Sequence, residues 1–235
     1  MRSTARAVRM RAQVLCLGAG LLGPLAACGS PPPDPGPLLA KTSQHMVLLK
    51  GFHFQMQIQG FTGSTIPVES ANGDAHPPDL HSSVQLRQGG VLVQLEIIFS
   101  ADQVYLKSFT GGWQRLTAAE VVQFFDPHSL FDQQDGLFAA LKDTQSPKRG
   151  KQENVGSQST WVISGTLPAD RVHRLLTLIS DQGSYTATYW IDSASDNLWR
   201  ARLQGHLFDP AKESTVTFEF SNHDQPVTVT PPPVS

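Results

Sequence analysis

From residue 52 onward, apolar and polar residues alternate with a period of two along much of the chain. Phe52, Phe54, Met56 and Ile58 are interleaved with His53, Gln55, Gln57 and Gln59. Successive side chains of a strand point to opposite faces, so the four large apolar groups share one face and the other is wet. The same pattern, bounded by Gly, Pro, Asn or Asp, predicts further strands over 82–88, 91–99, 103–109, 160–165, 185–191, 198–207, 215–221 and 227–230. Gln88-Gly89-Gly90 and Thr110-Gly111-Gly112 read as two of the turns. Many strands joined by short turns predict a meandering antiparallel sheet with one apolar face.

Helical spacing is rarer. Residues 38–49, after Pro37, predict an N-terminal helix. Thr117-Ala118-Ala119-Glu120 has the spacing of a capping box, so a short helix should begin there and stop before Asp126-Pro127. Residues 136–141 predict another short turn or helix. Pro168 suits the first turn of a helix on which Val172, Leu175, Leu176 and Ile179 form one stripe. These few helices cannot cover a long flat sheet. A curved sheet wrapped around them leaves an apolar hollow between the layers.

The N-terminus changes the picture by adding a destination. Arg2, Arg6, Arg9 and Arg11 precede an apolar run over 14–25 that is too short to span a bilayer. Small residues then lead into Leu25-Ala26-Ala27-Cys28, the pattern of a bacterial lipoprotein signal whose cysteine becomes the acylated first residue of the mature chain. The alternative is an ordinary signal cleaved nearby, with Cys28 a bystander. Cys16 is the only other cysteine and would leave with the signal, so the mature domain has no disulfide and depends on its core. Its roughly 208 residues are enough for one good-sized domain. The expected division is a signal peptide over 1–27, a lipidated cysteine with a proline-rich tether over 28–37, and a single domain over 38–235. At about 3 Å per residue, ten such tether residues hold the domain up to roughly 30 Å from the membrane. Residues 231–235 read as a second extended terminus. Removal of four arginines makes the mature chain more acidic, with no basic patch that would suggest nucleic acid.

Catalytic motifs are scarce. Gly18-Ala19-Gly20-Leu21-Leu22-Gly23 matches the dinucleotide fingerprint, yet it lies in the signal's apolar run with no preceding strand. No nucleophile elbow or phosphate loop occurs. The eight histidines, His45, His53, His76, His81, His128, His173, His206 and His223, are dispersed. His76 and His81 flank a proline turn with Asp74 and Asp79, a candidate cation site set against a solvated polar loop. No cofactor, no metal and no enzymatic activity are expected.

Several further pieces carry a resemblance. They are Leu49-Lys50-Gly51-Phe52 entering the first strand, Trp113 after the Gly-Gly turn, Asp126-Pro127 with Leu130 and then Gly136-Leu137, Ile163-Ser164-Gly165 before Pro168, and the ending Val227-Thr228-Val229-Thr230-Pro231-Pro232-Pro233-Val234-Ser235. In order and spacing they resemble the LppX_LprAFG lipoprotein family over nearly the whole mature chain. The resemblance implies an α+β fold, with a curved, half-open antiparallel sheet over a few helices around a hydrophobic cavity. It also implies a lipid-anchored protein on the extracytoplasmic face of the cell membrane that carries acylated lipid or lipoglycan across the cell envelope, with a membrane lipid transporter as a partner. His76-Pro77-Pro78-Asp79, Tyr189, Trp190 and Trp199 depart from the family pattern and bear on cavity size and ligand choice.

On this reading the cavity is lined by apolar-face residues of neighbouring strands: Phe54, Met56, Ile58, Val84, Leu86, Val93, Leu95, Ile97, Val104, Leu106, Ile163, Tyr189 and Phe218. A filled core is the alternative for any one of them. Two other functions compete with the carrier. A lipoprotein that binds a membrane-protein partner would expose aromatic surface around Trp190 and Trp199, and an envelope lipid esterase would need a reactive serine.

Overall fold

The computed structural model describes residues 32–60, 68–108, 111–117, 120 and 127–233. Chain contacts separate Met1–Pro32 from a compact unit, Pro33–Ser235, and the account below concerns that unit. Helix α1 spans Pro35–Met46, three residues ahead of the expected start. The early start is physically cheap, because the first-turn N–H groups have no intrahelical acceptor and Pro35 and Pro37 forfeit nothing there. Leu38, Leu39, Thr42, Ser43 and Met46 form its buried face. No helix among the described residues is long and apolar enough to cross a membrane.

Eleven strands follow: β1 (Phe52–Gln59), β2 (Val68–His76), β3 (Asp79–Gln88), β4 (Val91–Ser100), β5 (Gln103–Lys107), β6 (Trp113–Leu116), β7 (Gln145–Val155), β8 (Gln158–Pro168), β9 (Ser184–Asp192), β10 (Leu198–Asp209) and β11 (Lys212–Ser221). They form one sheet in the order β6-β5-β4-β3-β2-β1-β11-β10-β9-β8-β7. The sheet is antiparallel and unclosed, with β6 and β7 at its ends. Gly89 and Gly90, both at positive φ, make the two-residue β3–β4 turn that a right-handed sheet twist favours. His76-Pro77-Pro78-Asp79 is the tight turn joining β2 to β3, so β3 begins three residues before the expected strand.

Three strands, β2, β6 and β7, fall outside the expected set, and one expected strand is absent. Residues 227–230 form no strand. The preceding turn is fixed where Asp224 N–H donates to Gly51 O at 2.8 Å. Val227 then packs so close to Gly51 that a side chain at Gly51 would come within 3.2 Å of it. The alternation there reflects that contact and no ladder.

Short helices lie over one face of the sheet: α2 (Pro127–Leu130), a 3-10 helix (Ala139–Asp143) and α3 (Ala169–His173). The Pro168 helix is shorter than its stripe predicts. Pro168 ends β8 and caps α3, after which isolated turns carry the chain to Ile179. Val172, Leu175 and Ile179 are nevertheless all buried. The capping box holds at its first step, since Thr117 N–H and Oγ1 both donate to Glu120 Oε2 at 2.7 Å. The remainder of that expected helix lies outside the described residues. The main core lies between the sheet and these helices. At its centre Phe52, Phe138 and Phe220 pack edge to face, with ring centroids 5.3 to 5.9 Å apart.

Candidate functional site

Directly paired residues of antiparallel strands share a face, so the register traces the apolar surface across the sheet. Ile163 pairs with Tyr189, Tyr189 with Ala201, Ala201 with Phe218, and Phe218 with Met56. The row continues from Met56 to Ala71, Val84 and Leu95. Phe54 and Ile58 flank Met56 on β1; Leu86 pairs with Val93, Ile97 with Leu106, and Phe99 with Val104. All thirteen expected residues therefore stand on one face, the face that the helices cover.

Their surroundings divide them. Val104, Ile163 and Tyr189 are buried in the main core, and Phe54, Met56, Ile58, Ile97 and Phe218 pack against it half-buried. Val84 is buried outside that cluster, while Leu86, Val93, Leu95 and Leu106 are half-buried. The apolar hollow lies at the β9–β10–β11 side, with a volume of about 90 Å³, and of the thirteen only Tyr189 and Phe218 line it. Its floor is Ala187, Ala201, Leu203 and Val216, and its roof includes Leu137, Leu141, Val172 and Leu176. The helical stripe was visible in sequence as a core stripe. Ala187 and Ala201 carried no signal, because an alanine that leaves space reads like one that fills it.

Tyr189 and Arg202 are the polar side chains that line this hollow among the described residues. Thr144 Oγ1 and Tyr189 Oη are hydrogen-bonded at 2.9 Å in a buried setting, and burial pushes the Tyr189 phenol up to about 12. The roof is pinned to α3 by Arg171, which is only 3 % exposed. Its Nε donates to Asp143 Oδ2 at 2.5 Å, and its Nη1 donates to Asp135 O at 2.8 Å while lying 3.3 Å from Asp135 Oδ1. A single guanidinium thus ties both ends of the 135–143 segment to the helix that follows β8.

Where β1, β10 and β11 meet, the opposite face is polar. A larger hollow there, about 370 Å³, is lined by Gln57, Gln59, Arg200, Arg202, Gln204, Thr215, Thr217 and Glu219. With no apolar side chain in its wall it cannot shelter a hydrocarbon, so the smaller hollow is the relevant one for a lipid. Trp190 is buried at 4 %, beneath Arg200 and Arg202, with Nε1 donating to Glu153 at 2.8 Å. Trp199 packs edge to face with His223. Neither indole forms an exposed aromatic patch. Among the described residues no group of three or more metal-ligating side chains converges. Asp74 is with His53 at 2.9 Å, His76 Nδ1 is with Lys50 O, and His81 faces Glu96 at 3.6 Å.

An open sheet with one continuous apolar face is a fold that can be compared. The LppX_LprAFG lipoprotein model matches residues 34–229. The chain belongs to the LppX_LprAFG family. Within reach of this family assignment are two curated relatives named lipoarabinomannan carrier protein LprG. The protein from Mycobacterium leprae is 25% identical over 187 residues, covering 78% of this chain and 76% of its own length. The one from Mycolicibacterium hassiacum is 30% identical over 108 residues, covering 46% of this chain and 45% of its own. Two solved structures share the fold of this LppX_LprAFG member. LprF from Mycobacterium bovis aligns with a TM-score of 0.68 at 22% identity, over 87% of this chain and 99% of that one. LppX from Mycobacterium tuberculosis aligns at 0.60 and 20% identity, over 84% and 100%.

Proposed function

We propose that the protein is a non-catalytic lipid carrier, held at the extracytoplasmic face of the cell membrane through an acylated Cys28. Its cargo is an acylated lipid or lipoglycan, moved across the cell envelope. The observation that carries this reading is the unbroken apolar face of an unclosed sheet, roofed by short segments over an apolar hollow. Family membership and relatives named as lipoarabinomannan carriers support it. An exposed acyl chain of about sixteen carbons costs roughly 10 kcal/mol in water, at about 0.8 kcal/mol per methylene. A cavity that takes it up offsets that cost during transfer, and no bond is made or broken.

The hollow is small for this task. Pockets for drug-sized ligands run from about 300 to 1,000 Å³, against about 90 Å³ here. Loading therefore requires the roof to lift from the sheet, so that the compact state is the empty one and the lipid selects a wider one. Native mass spectrometry with lipid extraction on residues 29–235 tests the reading. Acylated lipid at near one per protein is the expected result; a clean apo mass with no uptake of added diacyl lipid would overturn it. Cys28→Ala should release the full chain from membranes, and continued fractionation with membranes would disprove the anchor.

A further inference from the structure

The edge strand β7 carries three basic residues close together. It pairs only with β8, through a ladder interrupted between Gln145 and Lys148 and again between Arg149 and Gln152. All of its residues but Pro147 and Val155 are exposed. Lys148, Arg149 and Lys151 fall within four positions. Residues 28–235 retain fourteen of the eighteen basic residues and all twenty acidic ones, so this run sits on a chain of formal charge −6. Among the described residues neither Lys148 nor Lys151 meets a carboxylate. Glu153, the acidic member of the strand, is engaged by Trp190 Nε1 at 2.8 Å.

The position of the run is as telling as its charge. Arg149 Nη1 donates to Pro33 O at 2.7 Å. A side chain at Gly36 would come within 4.0 Å of Pro147. The start of the compact unit at Pro33 therefore lies against β7, beside the basic residues. Cys28 is five residues before Pro33, at most about 18 Å along an extended chain. Lysines on an edge strand also deter pairing with other sheets. That role accounts for charge anywhere along the edge, and it leaves unexplained why the charge gathers where the tether departs. Asp34, exposed beside Pro33, offsets one of the three charges.

We propose that β7 is a membrane-docking edge that sets Lys148 and Lys151 against anionic phospholipid headgroups, while Arg149, held by Pro33 O and the Trp161 ring, fixes the start of the tether beside them. The proposal rests on the anchored-carrier reading. It makes the anchor and the basic edge two footholds on one surface, and it orients the domain where a bare tether would let it tumble. A lipid anchor holds more firmly when a basic patch supplies a second attachment.

The test uses residues 29–235, which contain the whole described core and lack the anchor cysteine, so its outcome is independent of Cys28 acylation. Binding to phosphatidylcholine vesicles is compared with binding to vesicles holding about 30 mol% phosphatidylglycerol, at about 50 and 300 mM NaCl. The expected result is binding only to the anionic vesicles, weakened by salt, and reduced at least about tenfold by Lys148→Glu with Lys151→Glu. Arg149 is kept so that its bond to Pro33 survives. If the double reversal lowers the urea midpoint, Lys148→Gln with Lys151→Gln is measured instead, with a smaller loss in the same direction. Equal binding to both vesicle types, or binding unchanged in a folded variant, would overturn the proposal.

Discussion

Ala201→Leu separates a cavity that takes cargo from a void that merely exists. Ala201 stands on the covered face of β10, opposite Tyr189 and Phe218, and lines the apolar hollow. An unfilled cavity costs about 24 cal/mol per Å³. For the volume of about 90 Å³ the penalty is then about 2 kcal/mol, the most that filling can recover. Leucine adds three carbons at this point. The expected stability change lies between a gain of about 2 kcal/mol and a loss of about 1 kcal/mol from overpacking. Lipid binding should fall far more. Three displaced carbons at about 0.8 kcal/mol each amount to about 2.4 kcal/mol, roughly a fifty-fold rise in Kd. Urea unfolding reads the first quantity and titration with a fluorescent diacyl lipid the second. A variant that is as stable as the parent and binds lipid equally well would refute the assignment of the hollow as the place where an acyl chain enters.

Two further outcomes follow from the roof and floor of the hollow. Arg171→Met removes the buried guanidinium while leaving Asp143 and Asp135 at 37 and 66 % exposure, so both carboxylates can rehydrate. The cost in urea unfolding should be about 2 kcal/mol, below the 3–5 kcal/mol of a fully buried pair broken on one side, and lipid exchange should quicken as the roof loosens. Tyr189 has a folded value raised to about 12 from an ordinary 10, so its contribution is fully present below pH 10 and is lost as pH rises towards 12. About 3 kcal/mol should disappear over that window. Tyr189→Phe should remove this part of the alkaline loss, and an unchanged slope of urea midpoint against pH would contradict the burial argument.

The strands that the sequence announces are those with one face against the core. β1 alternates cleanly because Phe52, Phe54, Met56 and Ile58 all meet the covered side. β2 is silent because its covered positions are Ala71, Gly73 and Ala75, beside the large side chains of β1. A side chain at Gly73 would come within 2.0 Å of His81 O, so the close approach of β2 and β3 excludes anything larger. β7 shows no alternation because, Val155 apart, little of it is buried on either side. β6, with four residues, is too short for a period to emerge. The site was legible to the same extent. The face could be read from alternation, whereas the position of the hollow on that face depends on which alanines lie beneath which roof residues, and that is a property of packing in three dimensions.

Arg171 and the short segments it fastens have a consequence for how the molecule breathes. Each ladder amide is held by a neighbouring strand, and only β6 and β7 are edges. Among the described residues the roof is a 3-10 helix, the short helices α2 and α3 and single turns, with bonds such as Leu141 N–H to Phe138 O at 3.3 Å. Local opening there costs far less than loss of the sheet. Amide hydrogen exchange should accordingly split in two, with the interior strands exchanging only through global unfolding and residues 137–144 and 172–179 through a shallow, separate opening. Cargo would then be timed by the second process alone, and the rate at which a lipid leaves could be tuned by substitutions in the roof without altering the melting of the sheet beneath it.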